Sequence, residues 1–160
     1  STGGFTECLL RHGAKRVYAI DVGESLLSED LRKDPKVIPI ERCNARNMTE
    51  ETIGEKAEGA VCDVSFISLK LILKPIYDIL CESGEAMVLI KPQFECGKKA
   101  LNKNGIVKDE KNRRQAVDEV SAFARSIGFS VIGVTEAPQR EGKNLEYLLY
   151  LKKHTLVSVV

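Results

Sequence analysis

Residues 86–92 read AMVLIKP, in which five consecutive apolar residues, Ala86 to Ile90, stop abruptly at Lys91-Pro92. This most continuous apolar run of the chain predicts a strand buried on both faces, as in a parallel sheet. Working outward, Leu69, Ile72, Leu73, Ile76, Ile79 and Leu80 recur at helical spacing before it, with Pro75 bending that helix or marking its true start. Ala60 to Val64 reads as a strand, and Thr49 to Glu55 as a short capped helix. Val37 to Ile40 and Val17 to Ile20 read as strands with a helix over 24–32 between them, and Pro39 marks the former as an outer strand. At the N-terminus Phe5, Cys8, Leu9 and His12 predict a helix that starts at Gly3-Gly4 and is closed by Gly13. Downstream, 93–108 shows no periodicity. A helix over 112–127 closed by Gly128, a strand over 129–134 and a last strand over 145–151 follow, the last able to return antiparallel. Strands alternating with helices predict an α/β fold with a mostly parallel sheet and an antiparallel C-terminal strand. Residues 154–160 read as a frayed tail.

The 160 residues are 43% hydrophobic and 29% charged, which suits one core rather than two full domains. Twenty-four basic against 23 acidic side chains give a net charge of +1, so any polyanion site must come from local clustering. No apolar run approaches the ~20 residues of a membrane span, and Ser1 to Leu10 does not read as a signal peptide. The five cysteines, odd in number and without a C-x-x-C pair, fit reduced thiols of the cytoplasm rather than a disulfide frame, and no metal site is expected.

Chemistry concentrates where strands end, the edge at which open α/β sheets bind ligands. Ser1-Thr2-Gly3-Gly4-Phe5 is a glycine turn feeding a helix N-terminus, able to admit a ligand and offer N–H donors. Taken alone it also reads as a plain tight turn. Asp21 closes the next strand, where a carboxylate accepts hydrogen bonds from ribose hydroxyls; its bland alternative is a cap on the following helix. Asp63, Lys91 and Glu146 each sit at a strand boundary. A lysine closing the most apolar strand is costly without a partner, so Lys91 is expected to meet a carboxylate. Singly, each of the three reads more readily as part of a structural ion pair than as a catalytic group.

These residues resemble the TlyA-type hemolysin and ribosomal RNA 2′-O-methyltransferase family, a branch of the FtsJ-like S-adenosyl-L-methionine enzymes. The resemblance is carried by STGGFTECLL at 1–10, VYAIDVG at 17–23, ERCNARN at 41–47, DVSFISL at 63–69, LIKPQFECG at 89–97, KNGIVKD at 103–109 and NLEYLLYL at 144–151. It implies a Rossmann-like methyltransferase domain over 1–153, with a seven-stranded sheet and helices on both faces. In that likeness Ser1, Thr2, Gly3, Gly4 and Phe5 hold the methionine part of the cofactor, Asp21 the ribose and Asn44, or the backbone beside it, the adenine, with Val22 and Asp63 also at the cofactor. The family's Lys-Asp-Lys-Glu catalytic tetrad maps its last three members onto Asp63, Lys91 and Glu146.

The family's first strand, ending Asp-Val-Gly-Ala, and the first tetrad lysine have no counterpart in 1–160. A central gap would strand backbone groups of both neighbouring strands, so upstream residues are expected to supply that strand, and an S4-like RNA-binding domain before it. The helix after Asp21 reads SLLSEDLR where relatives commonly carry an aromatic and a basic residue.

The implied reaction is in-line attack of a ribose 2′-hydroxyl on a sulfonium methyl, with Lys91 removing the proton and Asp63 and Glu146 orienting it. The expected partner is ribosomal RNA or a ribosomal subunit, with no membrane. Lys98, Lys99, Lys103, Lys108, Lys111, Arg113 and Arg114 outnumber Asp109 and Glu110 by five, a phosphate-tracking surface whose bland alternative is a solvated face. A cytosine-5 enzyme would carry a nucleophilic cysteine, often after proline, whereas Pro92 precedes Gln93. An amino-group methyltransferase would show Asp/Asn-Pro-Pro-aromatic where this chain has Asp63-Val64-Ser65-Phe66. A nicotinamide-dependent dehydrogenase remains open from fold alone, and a noncatalytic RNA-binding or scaffold fragment is the alternative outside enzymes.

Overall fold

The computed structural model describes residues 2–138 and 141–154. They form two compact units, 1–54 and 55–160, each taken in turn.

In the first unit Gly3 adopts a left-handed conformation (φ 101°) and its carbonyl accepts from Glu7 N, starting α1, Gly4–Arg11. Gly13, again left-handed, turns the chain out of the helix as expected. Strand β1, Val17–Ile20, pairs in parallel with β2, Val37–Ile40, in the register Val17↔Val37 to Ile20↔Ile40. The helix expected over 24–32 shrinks to α2, Glu29–Lys33. Asp21 Oδ1 instead takes the backbone N–H of Gly23 at 2.9 Å, closing an Asx turn. Ser25 is left-handed (φ 55°) with its N–H on Glu41 Oε1. A helix cannot pass through that geometry, so Asp21 does not cap one. After β2, Asn44 Oδ1 accepts from Arg46 N and opens a 3-10 turn, Ala45–Asn47. The short α3, Glu50–Ile53, follows where it was expected and ends at left-handed Gly54.

The second unit holds β3, Ala57–Cys62, then a 3-10 turn at Leu69–Leu71 and α4, Leu73–Ile79. Pro75 sits in the first turn of α4, where its missing N–H costs nothing. The six residues expected on one face, Leu69 to Leu80, are all buried. The next strand, β4, spans Leu80–Ile90. Its 86–90 stretch is buried on one face only: Ala86, Val88 and Ile90 are covered, while Met87 and Leu89 are half-buried.

Residues 93–108, expected to be irregular, contain two single turns, α5 at Pro92–Glu95 and a 3-10 turn at Lys98–Ala100. Asp109 caps the long α6, Glu110–Ser126, by accepting from Lys111 N. Gly128 (φ 109°) then passes so close to the Tyr77 ring that no Cβ would fit. Strands β5, Phe129–Glu136, and β6, Tyr147–Lys153, complete the order β3-β4-β6-β5. The first pair is parallel, and β6 runs antiparallel to both neighbours, as expected of the last strand. Buried Lys153 donates to the carbonyls of Tyr77 and Leu80, satisfying the C-terminal end of α4.

Among the described residues, β1 has one strand neighbour, β2, and β3 has one, β4. The expected tail lies outside the described residues except for His154, which meets the Ser130 hydroxyl. No described helix is long and apolar enough to cross a membrane.

Candidate active site

Strand register brings the three predicted acid and base residues to one edge. Cys62 pairs with Val88, so Asp63 leaves β3 just where β4 runs out toward Lys91. Ile90 pairs with Tyr147, so Glu146 enters β6 beside the same end. Lys91 Nζ forms an ion pair with Asp63 Oδ1 at 2.6 Å and donates to Ser65 Oγ at 2.9 Å. The Lys91 side chain keeps only 13% of its surface exposed and Asp63 46%, so a mostly covered cation meets an acid still open to solvent. The carboxylate is the partner that a lysine at the end of an apolar strand requires.

Glu146 does not pair with Lys91. Its Oε1 accepts from Gln93 Nε2 at 2.9 Å, two residues beyond the lysine, while its own backbone carbonyl accepts from Ala137 N. A carboxylate can only accept, so the Gln93 amide is oriented with its Oε1 away from Glu146, buried and unpartnered. The helical turn Pro92–Glu95 also carries Glu95, whose carboxylate takes Ser68 Oγ at 2.6 Å and Leu69 N at 2.7 Å. Between them Phe66 is left-handed (φ 63°), 90% exposed, and its ring lies 5.0 Å from that of Phe94. A flat ring displayed to solvent is a surface on which another ring can stack. Ser65, Phe66, Gln93 and Glu95 carry no such signal in the sequence, because the partners that give them meaning lie 26 to 53 residues away.

Both nearby thiols are held toward their protonated form. Burial pushes Cys62 up to about 12, with the Asp63 charge acting the same way against Lys91. Burial likewise raises Cys96, reinforced by Glu119 and Glu95, and its Sγ donates to Asn112 O.

In the first unit the left-handed turn at Gly3 exposes Thr2, Gly4 and Phe5, and a Cβ added to Gly4 would enter open space. Asp21 is half-buried at the end of β1, and Val22 and Asn44 are exposed. Ser1 lies outside the described residues.

The basic residues do not act alike. Lys98, Lys99, Lys103 and Lys108 are exposed. Arg114 is exposed but paired with Glu110 at 2.5 Å. Arg113 turns inward and donates to the carbonyls of Val107 and Lys108, fastening the loop to α6.

Residues 1–153 match the FtsJ-like methyltransferase profile. The chain belongs to this family. It is 41% identical over 156 residues to the 16S/23S rRNA (cytidine-2′-O)-methyltransferase TlyA of Mycobacterium tuberculosis, covering 97% of this chain and 58% of that protein. A crystal structure of a candidate hemolysin from Lactococcus lactis superposes with a TM-score of 0.91 at 44% identity, over 96% of this chain and 74% of that one. N-methyltransferase NodS from Bradyrhizobium japonicum, solved with S-adenosyl-L-homocysteine, shares the fold alone, at 13% identity, a TM-score of 0.66, and 95% and 73% coverage. The FtsJ-like chain is thus an α/β methyltransferase fold, and it spans 54% to 63% of the length of the curated relatives it matches.

Proposed function

We propose that this chain is the catalytic part of a cytoplasmic enzyme that methylates a ribose 2′-hydroxyl of ribosomal RNA, using S-adenosyl-L-methionine. The observation that carries the reading is the covered Lys91 amine held against Asp63 and Ser65 at the strand edge of an FtsJ-like chain. When bound, the cofactor supplies an electrophilic methyl group on a sulfonium. The residues present fit it: α1 starts at Gly4 with no side-chain cap, and a Cβ added to Gly4 would meet nothing, so the helix N-terminus is open to a ligand at that position. Asp21 would hold the ribose and Asn44, or the backbone beside it, the adenine, with Val22 also at the cofactor.

The attacking hydroxyl must shed a proton, and the Lys91 amine, once unprotonated, receives it. Asp63 and Ser65 fix the direction of that amine. Glu146, steadied by Gln93, orients from the neighbouring strand. Lys98, Lys99, Lys103 and Lys108 offer a surface for RNA phosphates and position the backbone without reading sequence. An S4-like RNA-binding domain is part of this proposal, since the chain spans 54% to 63% of the length of the curated relatives it matches.

The test is methyl transfer from labelled cofactor to ribosomal subunits by the full-length protein. Lys91→Ala and Lys91→Arg are each expected to lose at least about a hundredfold in kcat, since a guanidinium keeps the charge but cannot accept a proton. Cofactor affinity by calorimetry is expected to stay within about threefold in both. Full activity in either variant removes Lys91 from the role of base. RNA binding by the parent without any transfer would favour the noncatalytic scaffold instead.

A further inference from the structure

The loop carrying Asp63 and the segment carrying Lys91 are tied together twice. At one end stand the Lys91–Asp63 ion pair and the Lys91–Ser65 hydrogen bond. At the other stands Glu95, its two carboxylate oxygens divided between the Ser68 hydroxyl and the Leu69 amide. Four residues separate Asp63 from Ser68 and three separate Lys91 from Glu95, so the two short segments form a closed ring with a rung at each end. Within it Phe66 is held at a φ of 63°, a conformation that a bulky residue leaves unless its surroundings enforce it. Released at the Glu95 end, the loop would be free to relax that residue and carry Asp63 and Ser65 away from the amine. A hydroxyl or amide side chain would suffice to cap the Leu69–Leu71 turn, whereas a carboxylate reaching back from the lysine's own segment also sets the loop's register against that lysine.

We propose that Glu95 is a positioning residue for methyl transfer, clamping the 63–68 loop against Lys91 so that Asp63 and Ser65 hold the amine in its working direction. The inference rests on Lys91 being the base. It is tested in the full-length protein by steady-state methyl transfer, cofactor calorimetry and amide exchange at Leu69. Glu95→Ala is expected to lower kcat about tenfold or more, in line with the sensitivity of rates to small misplacements, and to leave cofactor affinity within about twofold. Glu95→Gln keeps an oxygen for Leu69 N and an amide for Ser68, and is expected to restore kcat to within about threefold of the parent. Ser68→Ala removes one rung partner without touching the acid and is expected to fall between the two, which carries the test if Glu95→Ala does not fold. Leu69 amide exchange is expected to quicken in Glu95→Ala and to remain slow in Glu95→Gln. Parent-like kcat in Glu95→Ala or Ser68→Ala overturns the inference, as does a loss in kcat matched by an equal loss of cofactor affinity. A parent that transfers no methyl group overturns the functional reading itself, while Leu69 exchange still reports whether the clamp exists.

Discussion

Gln93 Nε2 donates to Glu146 Oε1 at 2.9 Å, so the acid on β6 is connected to the Lys91 segment through a neutral amide rather than through an ion pair. Gln93→Leu removes that donor together with a buried carbonyl oxygen that has no partner. Losing one hydrogen bond and one orphaned acceptor nearly offset each other, so unfolding in urea is expected to shift by less than about 1 kcal/mol. Methyl transfer is expected to drop several-fold with unchanged cofactor affinity, because Glu146 is left free to rotate.

Gly3 and Gly4 separate folding from ligand approach. A Cβ at Gly3 would collide with Leu27 and Leu31 in a left-handed backbone, so Gly3→Ala is expected to cost about 1–3 kcal/mol in chemical denaturation. Gly4 is helical and faces open space, so Gly4→Ala is expected to keep stability within about 1 kcal/mol of the parent. Calorimetry is expected to show weaker cofactor binding in Gly4→Ala, since the added methyl occupies the approach to the turn.

The basic stretch divides in the same manner. Lys99→Ala is expected to weaken RNA binding and reduce the slope of log affinity against log salt by about 0.7–0.9, with no change in stability. Arg113→Ala unfastens two loop carbonyls from α6 and is expected to destabilise the fold by about 1–3 kcal/mol while moving the salt slope little.

Cys62 makes the fold sensitive to alkali. Its thiol is held protonated up to about 12 by burial, against an ordinary value of 9.0, so the unfolded chain releases this proton first. Stability from this group is intact below about 9 and is lost as the pH climbs toward 12. Urea midpoints of the parent are expected to fall more steeply between pH 8.5 and about 10.5 than those of Cys62→Val. The same burial predicts that a thiol reagent labels exposed Cys8 in the native protein and spares Cys62.

Elements whose patterning matched their burial were legible in the sequence: the stripe from Leu69 to Leu80, the strands at Val17 and Val37, and the antiparallel return at Tyr147 all stand where apolar periodicity put them. The helix over 24–32 failed because two local hydrogen bonds, at Asp21 and Glu41, outcompete helical ones, and periodicity does not record such competition. The turns inside 93–108 are too short to display a period. Lys91 was legible as a charge in need of an acid, and Asp63 is that acid. That Glu146 meets an amide, and that Arg113 serves the loop rather than the solvent, depend on side-chain directions set by tertiary packing.

Because β6 follows β5 in sequence yet lies between β4 and β5, the order of synthesis differs from the order of the strands in the sheet. A nascent chain halted before Tyr147 would expose the seam that β6 fills, with β5 lacking any partner in its sheet. Glu146 leads that strand in, so the acid takes its place in the same event that seals the sheet.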